Sequence, residues 1–297
     1  MSEAVRILSR LTTLAEAHPA IRGMLLIGSH ARRDTPADRS SDIDIVVITT
    51  DPPTYLADDW LNDLAPAILS IVEKAAVGEA KERRLLLGSG QDLDIVPISL
   101  EQFQSALVSG KIGEVHDILA RGMRWLVDKD GLASRLPKMN ESRPSIPTAG
   151  DLDDVVQDFW FHAVWTAKKL RRGEIWVAMG CCDGYLKKLL LRAIEWHART
   201  LYGLDHDTWF RGRFVERWAS PAVVDRLATV YATYDQASLE SALLRTTELF
   251  DDLAEDIAQN LSLPLPVNKS RQAKAIMMKI LAGERLDAPG DAHLSAP

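Results

Sequence analysis

Two aspartates at the head of a strongly apolar segment constrain this chain more than any other feature. Residues 42–48 read DIDIVVI, so Asp42 and Asp44 alternate with Ile43 and Ile45. In a β-strand this alternation places both carboxylates on one face, about 7 Å apart along the strand, and the isoleucines on the other face. Two ionised carboxylates at that spacing repel each other, and a divalent cation bound by both removes the repulsion. The pattern therefore predicts a strand that carries a metal site.

A Gly-Ser turn precedes this strand. Gly28 and Ser29 follow a short apolar run and lie just before a predicted helix start at Arg32–Arg33, and Ser41 directly precedes the aspartate pair. The backbone N–H groups of such a turn, a serine hydroxyl and a helix N-terminus together suit the binding of phosphate oxygens. A phosphate-binding turn next to a carboxylate pair predicts a site for a nucleoside triphosphate with Mg²⁺.

A second acidic pair occurs in QDLDIVPI, residues 91–98, where Asp92 and Asp94 also share one face of an apolar strand. A third carboxylate can complete a metal site or accept the proton of an attacking hydroxyl. Both aspartates are therefore candidates for the third metal ligand and for the general base.

Composition and charge exclude several classes of protein. The chain has 297 residues, 46% of them hydrophobic, and a formal net charge of −7. This acidic balance argues against nucleic acid as a partner and suits a small cationic partner. Cys181 and Cys182 are the only cysteines and form no disulfide framework or CxxC pair, which favours a reducing compartment. With no signal-like or membrane-length apolar segment, we expect a cytoplasmic protein that does not bind membranes.

A change of pattern along the chain predicts an α+β architecture with two domains. We expect a mixed-sheet domain at 1–136, a linker at 137–150 that contains three prolines, a helical bundle domain at 151–283 and a disordered tail at 284–297. In the first domain the predicted helices are 2–17, about 56–76 and 100–108, and the predicted strands are 24–27, 42–48, two within 83–99, and 122–128. In the second domain the predicted helices are 151–172, about 176–201, 220–233, 237–260 and about 268–282.

Several of these segments resemble a known enzyme family. GSHARRD and SDIDIVV, which begin at residues 28 and 41, resemble the GS-x(n)-DxD signature of the nucleotidyltransferase superfamily with a polymerase-β-type palm. RLLLGSGQDLDIVPIS, DFWFHAVWTAKKLRRGEIWVA and CDGYLKKLLLRAIEWH resemble segments of the aminoglycoside 6-adenylyltransferases, and the similarity extends over roughly residues 5 to 280. The resemblance implies a polymerase-β-like nucleotidyltransferase domain, ATP and Mg²⁺ as cosubstrates, and transfer of AMP to a hydroxyl.

The resemblance also implies roles for individual residues. Asp42 and Asp44 would bind Mg²⁺, and the phosphates would be bound by Gly28, Ser29, Arg32, Ser41 and, from the helical domain, Lys187. The register set by Pro97 implies Asp92 as the third metal ligand, whereas the local repetition of DIDIVVI in DLDIVPI favours Asp94. The remaining aspartate of that pair would be the candidate base.

The acceptor implied by the resemblance is the 6-hydroxyl of streptomycin, in a ring that bears two guanidinium groups. We expect the acidic segment Asp151–Asp158, with Trp160 and Trp165 on the same helix, to bind this cation through carboxylates and aromatic faces. Two alternatives stay open. The acceptor could be another small molecule or a protein hydroxyl, or the chain could be a non-catalytic nucleotide-binding descendant of the same fold.

Overall fold

The computed structural model describes residues 2–32, 37–57, 59–61, 64, 66–75, 80–109, 119–136 and 146–284. The chain divides into two compact units, Met1–Ser142 and Arg143–Pro297. Of the predicted linker, residues 137–145 lie outside the described residues, and of the predicted tail only residue 284 lies within them. Among the residues that the structure describes, no helix combines the length and apolar character needed to span a membrane.

The first unit is built on a mixed six-stranded sheet. Its strands are β1 (Ile21–Ile27), β2 (Ile43–Thr49), β3 (Ala67–Lys74), β4 (Lys81–Leu87), β5 (Asp92–Ser99) and β6 (Arg124–Asp128). The strand order is β3-β4-β5-β2-β1-β6, and only the central pair β2 and β5 is parallel among the described pairings. The helices of this unit are α1 (Glu3–Ala17), α2 (Pro52–Leu56) and α3 (Leu100–Ser109).

The alternation of residues in β2 separates its two faces as the sequence predicts. Ile43 and Ile45 are fully buried in a core that also contains the apolar face of α1, including Leu11. Asp42, which directly precedes the strand, and Asp44 are half-buried. The apolar side chains hold the strand in the centre of the sheet, and this leaves the opposite face available for the carboxylates.

The helix predicted at about 56–76 is wrong, because the α-helix of this region ends at Leu56, where the prediction begins. The structure has α2 at Pro52–Leu56 and strand β3 at Ala67–Lys74, which pairs with β4 in antiparallel register. Apolar residues at 64, 68, 71 and 72 fit a helical period, but the β-branched side chains among them also favour a strand. Hydrogen bonding to β4, which lies later in the chain, decides in favour of the strand over the helix. The periodicity of the segment contains no information about that pairing.

The second unit is helical in the part that the structure describes. Its elements are α4 (Ala149–Arg171), α5 (Ile175–Met179), a π-helical segment (Gly180–Leu186), α6 (Lys187–Tyr202), α7 (Val215–Trp218), α8 (Pro221–Leu227), α9 (Gln236–Leu261) and α10 (Val267–Ala282). The α+β fold class predicted from the sequence is confirmed by this sheet unit followed by a helical unit. The helix predicted at about 176–201 is present, but a π-helical segment interrupts its α-helical geometry.

Helix α4 begins at Ala149, two residues earlier than predicted, and a capping box defines this N-terminus. The Thr148 hydroxyl accepts a hydrogen bond from the backbone N–H of Asp151 at 3.2 Å, and the Asp151 carboxylate accepts one from the backbone N–H of Thr148 at 2.9 Å. These bonds satisfy N–H groups that have no partner inside the helix. In the core, α4 packs on α9 through a parallel stack of Phe159 and Phe250, whose ring centroids are 3.6 Å apart.

Candidate active site

Three carboxylates meet on the face of the sheet opposite α1. In the parallel pairing of β2 with β5, Asp44 is registered against Asp94. One carboxylate oxygen from each of Asp42, Asp44 and Asp94 lies within 4.8 Å of the other two. Hard divalent cations such as Mg²⁺ prefer this donor set, carboxylate oxygens gathered around one point. The three residues, called the aspartate triad below, fit a divalent cation site.

Asp92 lies outside the aspartate triad. It is the first residue of β5 and its side chain is exposed, whereas the Asp94 residue is only 5% exposed. Strand β2 begins at Ile43, which is registered against Leu93, so Asp92 lies beyond the last registered pair of the two strands. The sequence left the choice between Asp92 and Asp94 open. In the structure, Asp94 is the one that lies with Asp42 and Asp44.

Arg84 is a residue of the site that the sequence reasoning missed. It lies on β4 opposite Asp94, and its guanidinium makes two contacts with that carboxylate, Nε to Oδ1 at 3.1 Å and Nη2 to Oδ2 at 2.9 Å. Burial raises the pKa of the Asp94 carboxyl, Arg84 opposes that shift, and the charges of Asp42 and Asp92 add to it. Arg84 thus favours the ionised form of Asp94, which is the form that binds a cation.

The Gly-Ser turn packs directly against the aspartate triad. Gly28 has φ +69°, and a Cβ at this position would overlap the Oδ2 atom of Asp44 and lie 2.9 Å from its Cγ. A second glycine, Gly122, packs closely against the residue that follows the turn. A Cβ at this position would lie 2.6 Å from the carbonyl oxygen of Ala31. Only glycine combines this backbone conformation with so close an approach. The turn and the carboxylates therefore form one packed unit.

The other predicted phosphate-binding residues lie around this turn. Ser29 belongs to a 3₁₀ turn at Gly28–His30, and its hydroxyl donates to the carbonyl of Asp42 at 3.4 Å. Arg32 is half-buried just after the turn, and Arg33 lies outside the described residues. The Ser41 hydroxyl donates to Asp38 Oδ1 at 3.1 Å, so it stabilises the loop before β2.

A buried glutamine connects this loop to β5. Gln91 is 9% exposed, and its side-chain amide donates to the carbonyl oxygen of Ser41 at 2.6 Å. Because Gln91 precedes Asp92 and Ser41 precedes Asp42, this bond joins the two segments that lead into the acidic strands. The sequence contains both residues, but their contact depends on the β2–β5 register.

Lys187, expected to bind the triphosphate, is directed into the helical unit. Its ammonium donates to the carbonyl oxygen of Cys182 at 3.0 Å and to Thr246 Oγ1 at 2.8 Å, and it lies 3.4 Å from Asp183 Oδ1. An ammonium group has three N–H donors, and these three partners account for them. This geometry disfavours Lys187 as a phosphate ligand and favours a structural role in the core.

The expectation that Trp160 contributes an aromatic face to the acceptor is wrong. Trp160 is 3% exposed, and its Nε1 donates to Asp251 at 3.2 Å inside the helical unit. Trp165 is partly buried against the same core, and the ammonium of Lys169 lies 5.2 Å from its ring centroid. Helical spacing identified both residues as aromatic positions of α4 but could not distinguish the exposed ones from the core.

The contact between Gly28 and Asp44 leads to a test with a matched control. Gly28→Ala adds a methyl group against the Asp44 carboxylate, whereas Gly90→Ala, at a comparable φ of +81°, meets no atom within 4 Å. Gly90→Ala should lose about 1–2 kcal/mol of unfolding free energy, measured in urea, because of the left-handed backbone, and Gly28→Ala should lose more because its methyl group overlaps Asp44. Only Gly28→Ala should also weaken Mn²⁺ binding, measured by electron paramagnetic resonance. Equal Mn²⁺ affinities in the two variants would show that the close packing does not shape the site.

The interior position of Lys187 leads to a second prediction. Lys187→Met removes the hydrogen bonds of the ammonium to Thr246 and to the Cys182 carbonyl and its contact with Asp183, and loss of hydrogen bonds to a buried charged group costs about 1–3 kcal/mol. We expect the urea midpoint to fall while the Kd for ATP–Mg²⁺ stays within about two-fold of wild type. A stable variant that has lost ATP–Mg²⁺ affinity would instead assign Lys187 to the phosphates.

Comparisons with known proteins identify the family of this chain. The profile of the streptomycin adenylyltransferase family matches residues 1–280. Proteins named aminoglycoside 6-adenylyltransferase from Bacillus subtilis (strain 168) and Campylobacter jejuni are each 23% identical to this chain, over 83% and 85% of its length and 87% of theirs. A crystal structure of an aminoglycoside 6-adenyltransferase from Bacillus subtilis aligns with 94% of this chain and 98% of its own, with 19% identity and a TM-score of 0.45. Because the profile spans almost the whole sequence, the chain belongs to the streptomycin adenylyltransferase family of nucleotidyltransferase enzymes.

Proposed function

We propose that this protein transfers AMP from ATP to a hydroxyl group of streptomycin or a closely related aminoglycoside and thereby confers resistance to it. The observation that carries the proposal is the aspartate triad packed against a Gly-Ser turn, in a chain whose family membership covers residues 1–280. A non-catalytic descendant of this fold would have lost a carboxylate or the Gly-Ser turn. This chain has kept the carboxylates and the turn.

Mg²⁺ is the metal that we propose for the site. Asp42, Asp44 and Asp94 would hold it, since their oxygens converge within 4.8 Å and are hard donors. When bound, the ion would neutralise charge on the phosphate oxygens of ATP. The backbone N–H groups of the turn that begins at Gly28, together with Ser29 and Arg32, are the candidates to bind the phosphates.

The proposed reaction also needs an acceptor for one proton. The acceptor hydroxyl oxygen forms a bond to the α-phosphorus, the bond to the pyrophosphate oxygen breaks, and the hydroxyl proton passes to a base. With Asp94 paired to Arg84 and assigned to the metal, Asp92 is the remaining carboxylate of the strand and the candidate base. Its exposed position leaves it accessible to a hydroxyl from solvent.

A cationic acceptor and a cytoplasmic location complete the proposal. The net charge of −7 suits an acceptor that bears guanidinium groups, because opposite charges raise the rate of encounter. ATP as donor and the two unpaired buried cysteines, Cys181 and Cys182, are compatible with the reducing cytoplasm.

The direct test is an adenylyl-transfer assay on the purified full chain. With ATP labelled at the α-phosphate and Mg²⁺ present, we expect label on streptomycin, loss of transfer with EDTA, and recovery when Mg²⁺ is restored. Binding of ATP–Mg²⁺ without transfer to any of a panel of aminoglycosides would refute the acceptor. A protein that binds neither ATP–Mg²⁺ nor an aminoglycoside would refute the enzymatic proposal altogether.

Substitution of the two β5 aspartates separates their proposed roles. Asp94→Asn should weaken Mg²⁺ binding and reduce transfer by several orders of magnitude, because it removes a charge from the aspartate triad. Asp92→Asn should leave the Kd for ATP–Mg²⁺ unchanged and reduce kcat by about 10²–10⁴-fold, as expected for loss of a general base. The reverse result, Mg²⁺ binding lost in Asp92→Asn and retained in Asp94→Asn, would contradict the assignment.

A further inference from the structure

Three large aromatic side chains of the helical unit are exposed, one on α5 and two in the segment that leads into α9. Trp176 on α5 is 79% exposed, and Tyr231 and Tyr234, in the segment between α8 and α9, are 57% and 61% exposed. The rings of Trp176 and Tyr234 are in edge-to-face contact, with centroids 6.3 Å apart. Aromatic side chains usually bury most of their surface, so an exposed group of this kind is typical of a binding surface.

Two glycines extend this surface along the same helical run. Gly180 and Gly184 follow Trp176 at intervals of four residues, both are exposed, and a Cβ at either position would meet no atom within 4 Å. Glycine destabilises a helix interior relative to alanine, and the segment that contains both glycines is π-helical, a geometry frequent at functional sites. The glycines leave open space beside Trp176 at the expense of helix stability.

Carboxylates lie on both sides of this space. On one side, Asp183 accepts a hydrogen bond from the backbone N–H of Ala232 at 3.3 Å, which ties it to the segment that carries Tyr231. On the other side, Tyr185 donates to the carboxylate of Asp158 on α4 at 2.9 Å. Asp183 and Tyr185 flank Gly184 in the sequence, so their side chains point to opposite sides of the helix. Their hydrogen bonds to separate partners agree with this.

The chemistry of these groups suits a cationic sugar-like ring. Aromatic faces attract cations, and the exposed indole ring of Trp176 offers such a face. Carboxylates form charge-assisted hydrogen bonds with guanidinium groups, often in pairs. Asp158 contacts His162 at 2.7 Å and Asp183 contacts Lys187 at 3.4 Å, but their side chains are still 36% and 18% exposed, so solvent reaches part of each carboxylate.

We propose that this surface, called the aromatic groove and formed by Trp176, Gly180, Gly184, Tyr231, Asp158 and Asp183, binds the cationic ring of the acceptor. The inference rests on the proposed function and assigns acceptor recognition to the helical unit. It replaces Trp160, which is buried, by Trp176 as the main aromatic contact. Binding of ATP–Mg²⁺ does not involve these residues.

The glycines provide a test in which the fold is not weakened. Gly184→Leu places a side chain in the open space, whereas Gly184→Ala adds only a methyl group. Because both residues are better helix formers than glycine, the Tm of each variant should equal or exceed that of wild type. We expect the KM for streptomycin to rise at least ten-fold in Gly184→Leu and by a smaller factor in Gly184→Ala, with the KM for ATP unchanged in both.

A second pair of variants tests the aromatic contact without catalysis. Trp176→Ala should weaken streptomycin binding at least ten-fold in calorimetry performed without ATP. Tyr202→Ala is the matched control, because Tyr202 is 50% exposed at the end of α6 and packs against His206 instead. Uncharged myo-inositol, a cyclitol without guanidinium groups, should bind the wild-type chain at least a hundred-fold more weakly than streptomycin.

The outcomes distinguish this inference from the function on which it rests. If wild type transfers AMP to streptomycin and Gly184→Leu and Trp176→Ala retain its KM and Kd, the aromatic groove is refuted and the proposed function stands. If wild type transfers AMP to no aminoglycoside, the proposed function fails and the inference fails with it. Selective loss of streptomycin affinity, with ATP affinity and Tm retained, supports both.

Discussion

The parallel pairing of β2 with β5 is the constraint on which the site depends. It places Asp44 directly beside Asp94, with Asp42 at the adjoining strand end, so that three acidic side chains converge within 4.8 Å. Like charges at this distance destabilise the fold unless they are compensated. Burial of Ile43 and Ile45 on the opposite face holds the strand in place against that repulsion. The fold therefore stabilises an arrangement that the carboxylates alone would oppose.

The neighbouring elements are adapted to this arrangement. Arg84 neutralises part of the charge from the adjacent strand, and its two contacts with Asp94 fix the orientation of that carboxylate. Gly28 allows the turn to approach Asp44 more closely than any side chain would permit. The result is a preorganised group of carboxylate oxygens packed against the Gly-Ser turn, the arrangement that the proposed phosphoryl transfer requires.

Local sequence was sufficient for the features that depend on alternation and composition. It predicted the two faces of β2, the strand pair within 83–99 and the sheet unit followed by helices. It could not predict features that depend on contacts between distant segments. The choice between Asp92 and Asp94 follows from strand register, Arg84 enters the site only because β4 pairs with β5, and β3 exists because β4 pairs with it. Likewise, helical spacing marked the tryptophans of α4, but the burial of Trp160 follows from its packing in the core of the helical unit.

The central claim is that Asp42, Asp44 and Asp94 together hold the metal of an adenylyl-transfer site. The most direct measurement is a crystal structure with Mn²⁺ and a non-hydrolysable ATP analogue, in which anomalous scattering locates the ion. The account predicts an anomalous peak about 2.0–2.2 Å from oxygens of all three carboxylates and in contact with the phosphates. A peak coordinated by Asp92 instead of Asp94, or one bound by the nucleotide without the aspartate triad, would contradict it.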